Sequence, residues 1–242
     1  MTDRTSLLSA LIVAVGVALG GIAIGYGFSS GRAADRFVEV KGLAEQDVEA
    51  DLALWPLRFV ATGNDLSAAQ AQVERYTRQV MNFLAEHGVD TTGAELQNLE
   101  VSDALANRYQ QNTGGPRFII QQTLMVRSDE PRVVRAASQR VSELVSAGVV
   151  LQQSGDYGMG GPTYVFSGLN ALKPDMIATA TANARIAAEQ FARDSRTSLG
   201  NIRQANQGVF VILPRDQAPG VQEGGQLNKT VRVVSTVQYF LR

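Results

Sequence analysis

Any chemistry in this chain has to proceed without thiols and nearly without imidazole. Among its 242 residues there are 0 cysteines and 1 histidine. Disulfides, thiolate zinc sites and cysteine nucleophiles are thereby excluded. The single histidine, His87, ends a helix-patterned segment just before Gly88. A cation there complements the negative end of the helix dipole, so His87 reads as structural and not as a base or metal ligand. Three carboxylates, Asp47, Glu49 and Asp51, alternate along one stretch and would share one strand face. With no histidine or cysteine to complete a coordination shell, they read as a solvated face, and no metal is assigned. The run Gly158-Met159-Gly160-Gly161 has the texture of a phosphate cradle. A strand pattern follows it where a cradle needs a helix start, and no lysine accompanies it, so it reads as a turn. No G-x-S-x-G elbow is present. No catalytic, cofactor-binding or metal residue is assigned, and the chain reads as non-enzymatic.

Composition narrows the partners. A 45% hydrophobic and 19% charged chain of net charge -1 is globular in make-up, and a pI near 5.9 gives no footprint for nucleic acid. From Leu7 to Phe28 the sequence LLSALIVAVGVALGGIAIGYGF carries no charge. At 1.5 Å per residue such a run covers a hydrocarbon core of about 30 Å, which predicts a transmembrane helix in contact with membrane lipid. Residues 1–30 then form a cytoplasmic tip and anchor, 31–36 a short linker, and 37–242 the main domain. The rival reading is a cleaved signal peptide, with Arg4 as its n-region and Gly31-Arg32-Ala33 near the cut. Signal h-regions are shorter, about 7–15 residues. Gly16 with Gly20 and Gly21 with Gly25 have the G-x-x-x-G spacing that lets helices pack closely in a membrane.

The elements that would carry these residues follow from periodicity. FVEVKG at 37–42 alternates as a strand, and a second strand at 52–62 puts Trp55, Leu57 and Phe59 on one face. Pro56 lies inside it, which predicts an edge position or a bulge. Leu66, Ala69, Val73, Tyr76, Val80 and Phe83 recur at three and four, the stripe of a helix capped by Asn64 or Asp65 and ended by Gly88. A hairpin is expected from 94–109 and 117–126, a helix from Pro131 to Gly148, and a short strand at 163–166. An alanine-rich helix over about 173–198 and a final pair at 202–213 and 230–241 complete the chain. The loop Pro214–Asn228 has no apolar period and is expected to be exposed and mobile. The order β-β-α-β-β-α-β-α-β-β, with a helix before a long hairpin occurring twice, is α+β with helices on mainly antiparallel sheets, resembling two related subdomains.

Three stretches carry a family likeness: VKGLAEQDVEADLALWPLRFVATG, then ANARIAAEQFARDSRTSLGNIRQANQGVFVI, then KTVRVVSTVQYFLR. With a VxGxA-type entry strand, a late AR...A..FA...G helix and a V.V..TV.Y.L end strand, the chain resembles the SIMPL-domain (DUF541) family. That resemblance implies an exported bacterial envelope protein, with its N-terminus cytoplasmic, a single pass through the inner membrane and its main domain periplasmic. It also implies ring-like homo-oligomers and roles linked to envelope or oxidative stress, with no catalytic signature to carry over. The expected function is that of a self-assembling scaffold whose edge strands, near Pro56 or at the C-terminal pair, join neighbouring subunits. The alternative is a binding module for a peptide, a lipid or an envelope protein, using grooves or the loops Asp103–Pro116 and Pro214–Asn228.

Overall fold

Two stretches far apart in sequence meet at Gly42. The computed structural model describes residues 14–25, 36–106, 115–152 and 161–242. In it, strand β1 (Phe37–Glu49) lies against helix α5 (Leu169–Asp194) so closely that a Cβ built on Gly42 would stand 1.8 Å from the Ala180 carbonyl oxygen and 2.8 Å from the Ala184 Cβ. Only glycine fits. The helix matches it with a stripe of small residues: Ala180, Ala184, Ala188 and Ala192 are buried at every fourth position, after Met176. The Asn183 amide donates to the Leu43 carbonyl at 2.8 Å, a bond that needs the helix this near the strand. The alanine richness of this helix is thus a packing requirement of one strand.

The chain divides into two compact units. The first combines the residues up to Ala44 with Pro174–Phe210 and Val233–Arg242; the second combines Glu45–Lys173 with Val211–Arg232. In the first, β1 neighbours β8 (Asn228–Leu241), which neighbours β6 (Leu199–Gln207). Val38, Val237 and Tyr239 pack with Ala184 and Ala188 into its core.

The second unit contains the sheet β3-β4-β2-β5, with β2 at Leu52–Gly63, β3 at Ala94–Asp103, β4 at Phe118–Ser128 and β5 at Thr163–Val165. Helices α2 (Leu66–Glu86), α3 (Pro131–Ser138) and α4 (Ser142–Ser146) belong to it, and so does β7 (Val211–Pro214), which pairs with β8. Strand β2 alternates strictly, burying Ala53, Trp55, Leu57, Phe59 and Ala61. These meet Val73, Tyr76, Val80 and Phe83 of α2, with Phe59 and Tyr76 edge to face at 6.3 Å. Each large side chain so buried contributes about 1.5–3 kcal/mol. Asp65 caps α2 by accepting from the Ala68 amide at 2.8 Å, and Gly88 leaves the helix at φ 74°.

Several expectations are corrected here. The α+β arrangement with two sheets is present, but among the described residues the membrane-spanning helix expected to precede it is not found. The N-terminal helix, α1, is described over 14–25 with its residues exposed. No described helix is long and apolar enough to cross a membrane; the remaining positions of the expected span, 7–13 and 26–28, lie outside the described residues. Pro56 makes no bulge, since it pairs with Met125 of β4 in unbroken register, but on the side away from β4 no described residue pairs with it, because β5 reaches only Leu52–Leu54. Its nitrogen costs no β4 bond: Val60 donates to Val150 and Arg58 accepts from Gln152, so even-numbered residues of β2 aim away from β4. The single helix expected from Pro131 to Gly148 is broken into α3 and α4. The strand expected over 202–213 is broken into β6 and β7 where Gly208 lies against the Val234 carbonyl.

Gly42→Ala is expected to lose about 3 kcal/mol of stability. Gly63→Ala is the control, since its Cβ would have 3.5 Å to the nearest heavy atom, and it should stay within about 1 kcal/mol. Urea midpoints followed by circular dichroism compare the two; equal midpoints would show that the close approach at Gly42 is not needed.

Candidate functional site

The carboxylates that alternate at the end of β1 are all engaged by protein donors. Asp47 accepts from the Thr230 hydroxyl at 2.6 Å, Glu49 is gripped by both arms of the Arg132 guanidinium, and Glu45 accepts from Arg232 at 2.6 Å. Asp51 accepts from the Ser167 amide at 2.8 Å, its hydroxyl at 2.9 Å and the Gly168 amide at 3.0 Å, just ahead of α5. Hydrogen bonding from Arg132 holds the Glu49 carboxyl below its usual range against the opposing effect of burial, and the Arg132 charge adds a lesser pull in the same direction. No group of three or more His, Cys, Asp or Glu suited to a metal occurs among the described residues. His87 is at the C-terminus of α2, its Nδ1 2.8 Å from the Phe83 carbonyl and its Nε2 3.2 Å from Glu143. One ring nitrogen thus closes the end of α2 and the other reaches across to α4. Gly158, Met159 and Gly160 lie outside the described residues, while Gly16, Gly20, Gly21 and Gly25 fall in α1 with open space where a Cβ would stand.

Two arrangements were not legible as sites beforehand. The first is a cleft of about 500 Å³ in the second unit. Helix α3 contributes Arg135 and Ser138 one turn apart, β5 contributes Tyr164, and the loop after β7 contributes Arg215, Gln226 and Asn228. Burial pushes the Tyr164 phenol above its ordinary pKa, opposed by hydrogen bonding with Ser138 and by the Arg135 charge. The hydroxyl therefore stays protonated and able to donate at neutral pH. The loop wall is exposed, as expected, but held at several points. Gln226 accepts from the Asp216 amide at 3.3 Å and donates to its carbonyl at 3.1 Å, and the Arg215 amide donates to Asn228 at 3.3 Å. Beneath it Lys229, 0% exposed, donates to the Glu223 carbonyl at 2.8 Å and pairs with its carboxylate. The sequence signal for this anchor was a lysine standing in the buried register of β8, alongside Val231 and Val233.

The second is an open strand edge. Strand β3 is the outer member of its sheet, and its residues from Glu95 to Ser102 are exposed. Leu96, Leu99 and Val101 pair with Leu124, Gln122 and Ile120 of β4, so all three lie on the sheet's buried face. A bulge at Asn98, φ 40°, keeps Leu96 and Leu99 on that same side. Helix α2 packs on β2 and β4, leaving the three apolar side chains 58%, 53% and 49% exposed. One of the two outer strands of the other sheet, β6, is likewise exposed from Asn201 to Gln207. Of the edges expected near Pro56 and at the C-terminal pair, β6 is an outer strand, while at Pro56 there is only a short unpaired stretch on the side of β2 away from β4.

Two mainly antiparallel sheets with helices laid on them define an α+β protein. More narrowly, the chain belongs to the SIMPL family, described as a protein of unknown function (DUF541), whose model matches residues 38–239. The matched span starts within β1 and ends within β8. No curated protein matches the chain.

Glu223→Gln leaves a buried ammonium without its counter-charge and is expected to cost roughly 2 kcal/mol, moderated because Glu223 keeps contact with water. Lys229→Met removes the charge while keeping the packing and should cost less. Thermal unfolding of both variants gives the order; a larger loss for Lys229→Met would contradict the buried-charge account.

Proposed function

We propose that this protein is a non-enzymatic assembly module that builds a ring-like homo-oligomer by joining the β3 edge of one copy to the β6 edge of the next. The observation that carries the reading is β3: an unpaired backbone edge flanked by three exposed apolar side chains. Such an edge is a template for another strand, and burying the stripe adds the hydrophobic term that main-chain pairing lacks. Charge argues for a head-to-tail contact. Strand β3 carries Glu95 and Glu100 and no cation, its Asp103 being paired with Arg117, so two β3 edges side by side would repel; β6 carries Arg203 and no acid. A contact between two different surfaces closes into a ring when its rotation allows and otherwise runs on as a filament. A scaffold needs defined mass and shape, which such closure supplies. A place in the bacterial envelope belongs to the same proposal and rests on the resemblance in the sequence; cell fractionation against a periplasmic marker decides it.

Light scattering after gel filtration tests the assembly. The wild type is expected as one species several times the 26.0 kDa chain mass, and Glu95→Lys with Glu100→Lys is expected to drop it to smaller species. Adding Arg203→Glu to that pair should restore part of the mass. A monomeric wild type, or a mass untouched by the β3 changes, would overturn the reading.

A further inference from the structure

Some of the ten described arginines of the second unit are neutralised by carboxylates and others are not. Arg132 is neutralised by Glu49, Arg117 by Asp103 and Arg232 by Glu45. Arg215 has only its chain neighbour Asp216, at 3.2 Å through one nitrogen, and stays 44% exposed. Arg135 has no carboxylate within ion-pair distance among the described residues, and it is exposed in the same cleft. The cleft lining therefore contains two guanidiniums, Arg135 and Arg215, against one carboxylate, Asp216. Its remaining polar groups are neutral donors or can act as such: the Ser138 and Tyr164 hydroxyls and the Gln139 and Asn228 amides. A hollow of about 300 Å³ continues from it past Arg135, Leu227 and Asn228 to the Glu49–Arg132 pair, which is already balanced. One positive charge is left over.

We propose that this cleft binds a small organic oxyanion of about one net negative charge, a carboxylate or a phosphate ester, with Arg135 as its principal contact. Guanidinium is suited to the task because its planar fork meets two oxygens of a carboxylate or phosphate at once. Arg215 faces the same space from the other wall and can take a second oxygen without releasing Asp216, which occupies only one of its nitrogens. The volume suits a small ligand and not a polymer. The walls are set before the ligand arrives: Gln226 clamps the Asp216 backbone, and Lys229 with Glu223 fixes the 3-10 turn Glu223–Gly225 behind it. Less ordering is then charged to binding. Tyr164 closes the floor as a proton donor and cannot compete as an anion. The inference is independent of assembly, since none of these residues lies on β3 or β6.

Thermal unfolding of the full chain tests it, with inorganic phosphate, glycerol phosphate and succinate as probes against chloride at equal ionic strength. A ligand that binds only the folded state raises the midpoint in proportion to the logarithm of its saturation. The wild type is expected to be stabilised by at least one of the three probes beyond chloride. A response to the two phosphates assigns a phosphate ester, and a response to succinate assigns a carboxylate; either supports the site. Arg135→Gln should weaken the apparent affinity at least tenfold, Arg135→Lys should weaken it less, and Arg185→Gln, on α5 and outside the cleft lining, should leave it unchanged. Arg135→Lys also keeps the test open if Arg135→Gln does not fold. No probe-specific stabilisation of the wild type, or an undiminished response in both Arg135 variants, would overturn the proposal.

Discussion

The contact between Gly42 and the backbone of α5 is the constraint on which the first unit depends. A strand and a helix ordinarily stand apart by the length of their interleaved side chains. Here one residue without a Cβ lets a helix carbonyl come down onto the strand, and alanine at every fourth helix position extends the approach along α5. Dispersion between close backbones replaces the large side chains that such an interface usually buries. Its other face is polar and just as constrained. Glu39, Glu45 and Asp47 of β1 reach Gln238, Arg232 and Thr230 of β8, each advance along one strand matched by an equal retreat along the other. A strand held this way has little freedom to slip, because a shift of one residue would drive a Cβ into the helix and carry the carboxylates to the wrong side.

What was readable in the sequence was local. Helix α2 announced itself by the stripe from Ala69 to Phe83, its start by Asp65 and its end by Gly88, because capping and periodicity act within a turn or two. The alternation of β2 and β8 was equally direct, since burial of one sheet face imprints a period of two. The long uncharged run near the N-terminus was another matter. Hydropathy and length predicted a span, whereas the described helix there covers only 14–25. Pro56 marked a stretch of β2 left unpaired on one side and not a bulge, and which side its nitrogen faces follows from strand order, which is not a local property.

Neither proposed site could be read from spacing. Arg135, Tyr164 and Arg215 come from three segments brought together by the sheet, and the wall between them depends on a lysine buried against a glutamate six residues earlier. Likewise β3 is an edge only because β4 pairs with β2 on its other side. Its apolar residues were visible, but the bulge at Asn98 alone places Leu96 and Leu99 together. The family match fixes kinship and leaves the role open, so the physical features of these two surfaces carry the functional argument. One is an edge suited to a second copy, and the other is a cleft suited to a small anion.

Hydrogen exchange of the wild-type protein, resolved to individual amides, bears most directly on assembly. Edge strands of a lone subunit exchange the amides on their open side quickly, because nothing but water pairs with them. In the ring proposed here, the outward amides of β3 and β6 are protected to a degree comparable with β4 and β8. Fast exchange along the outer sides of both β3 and β6 would contradict it.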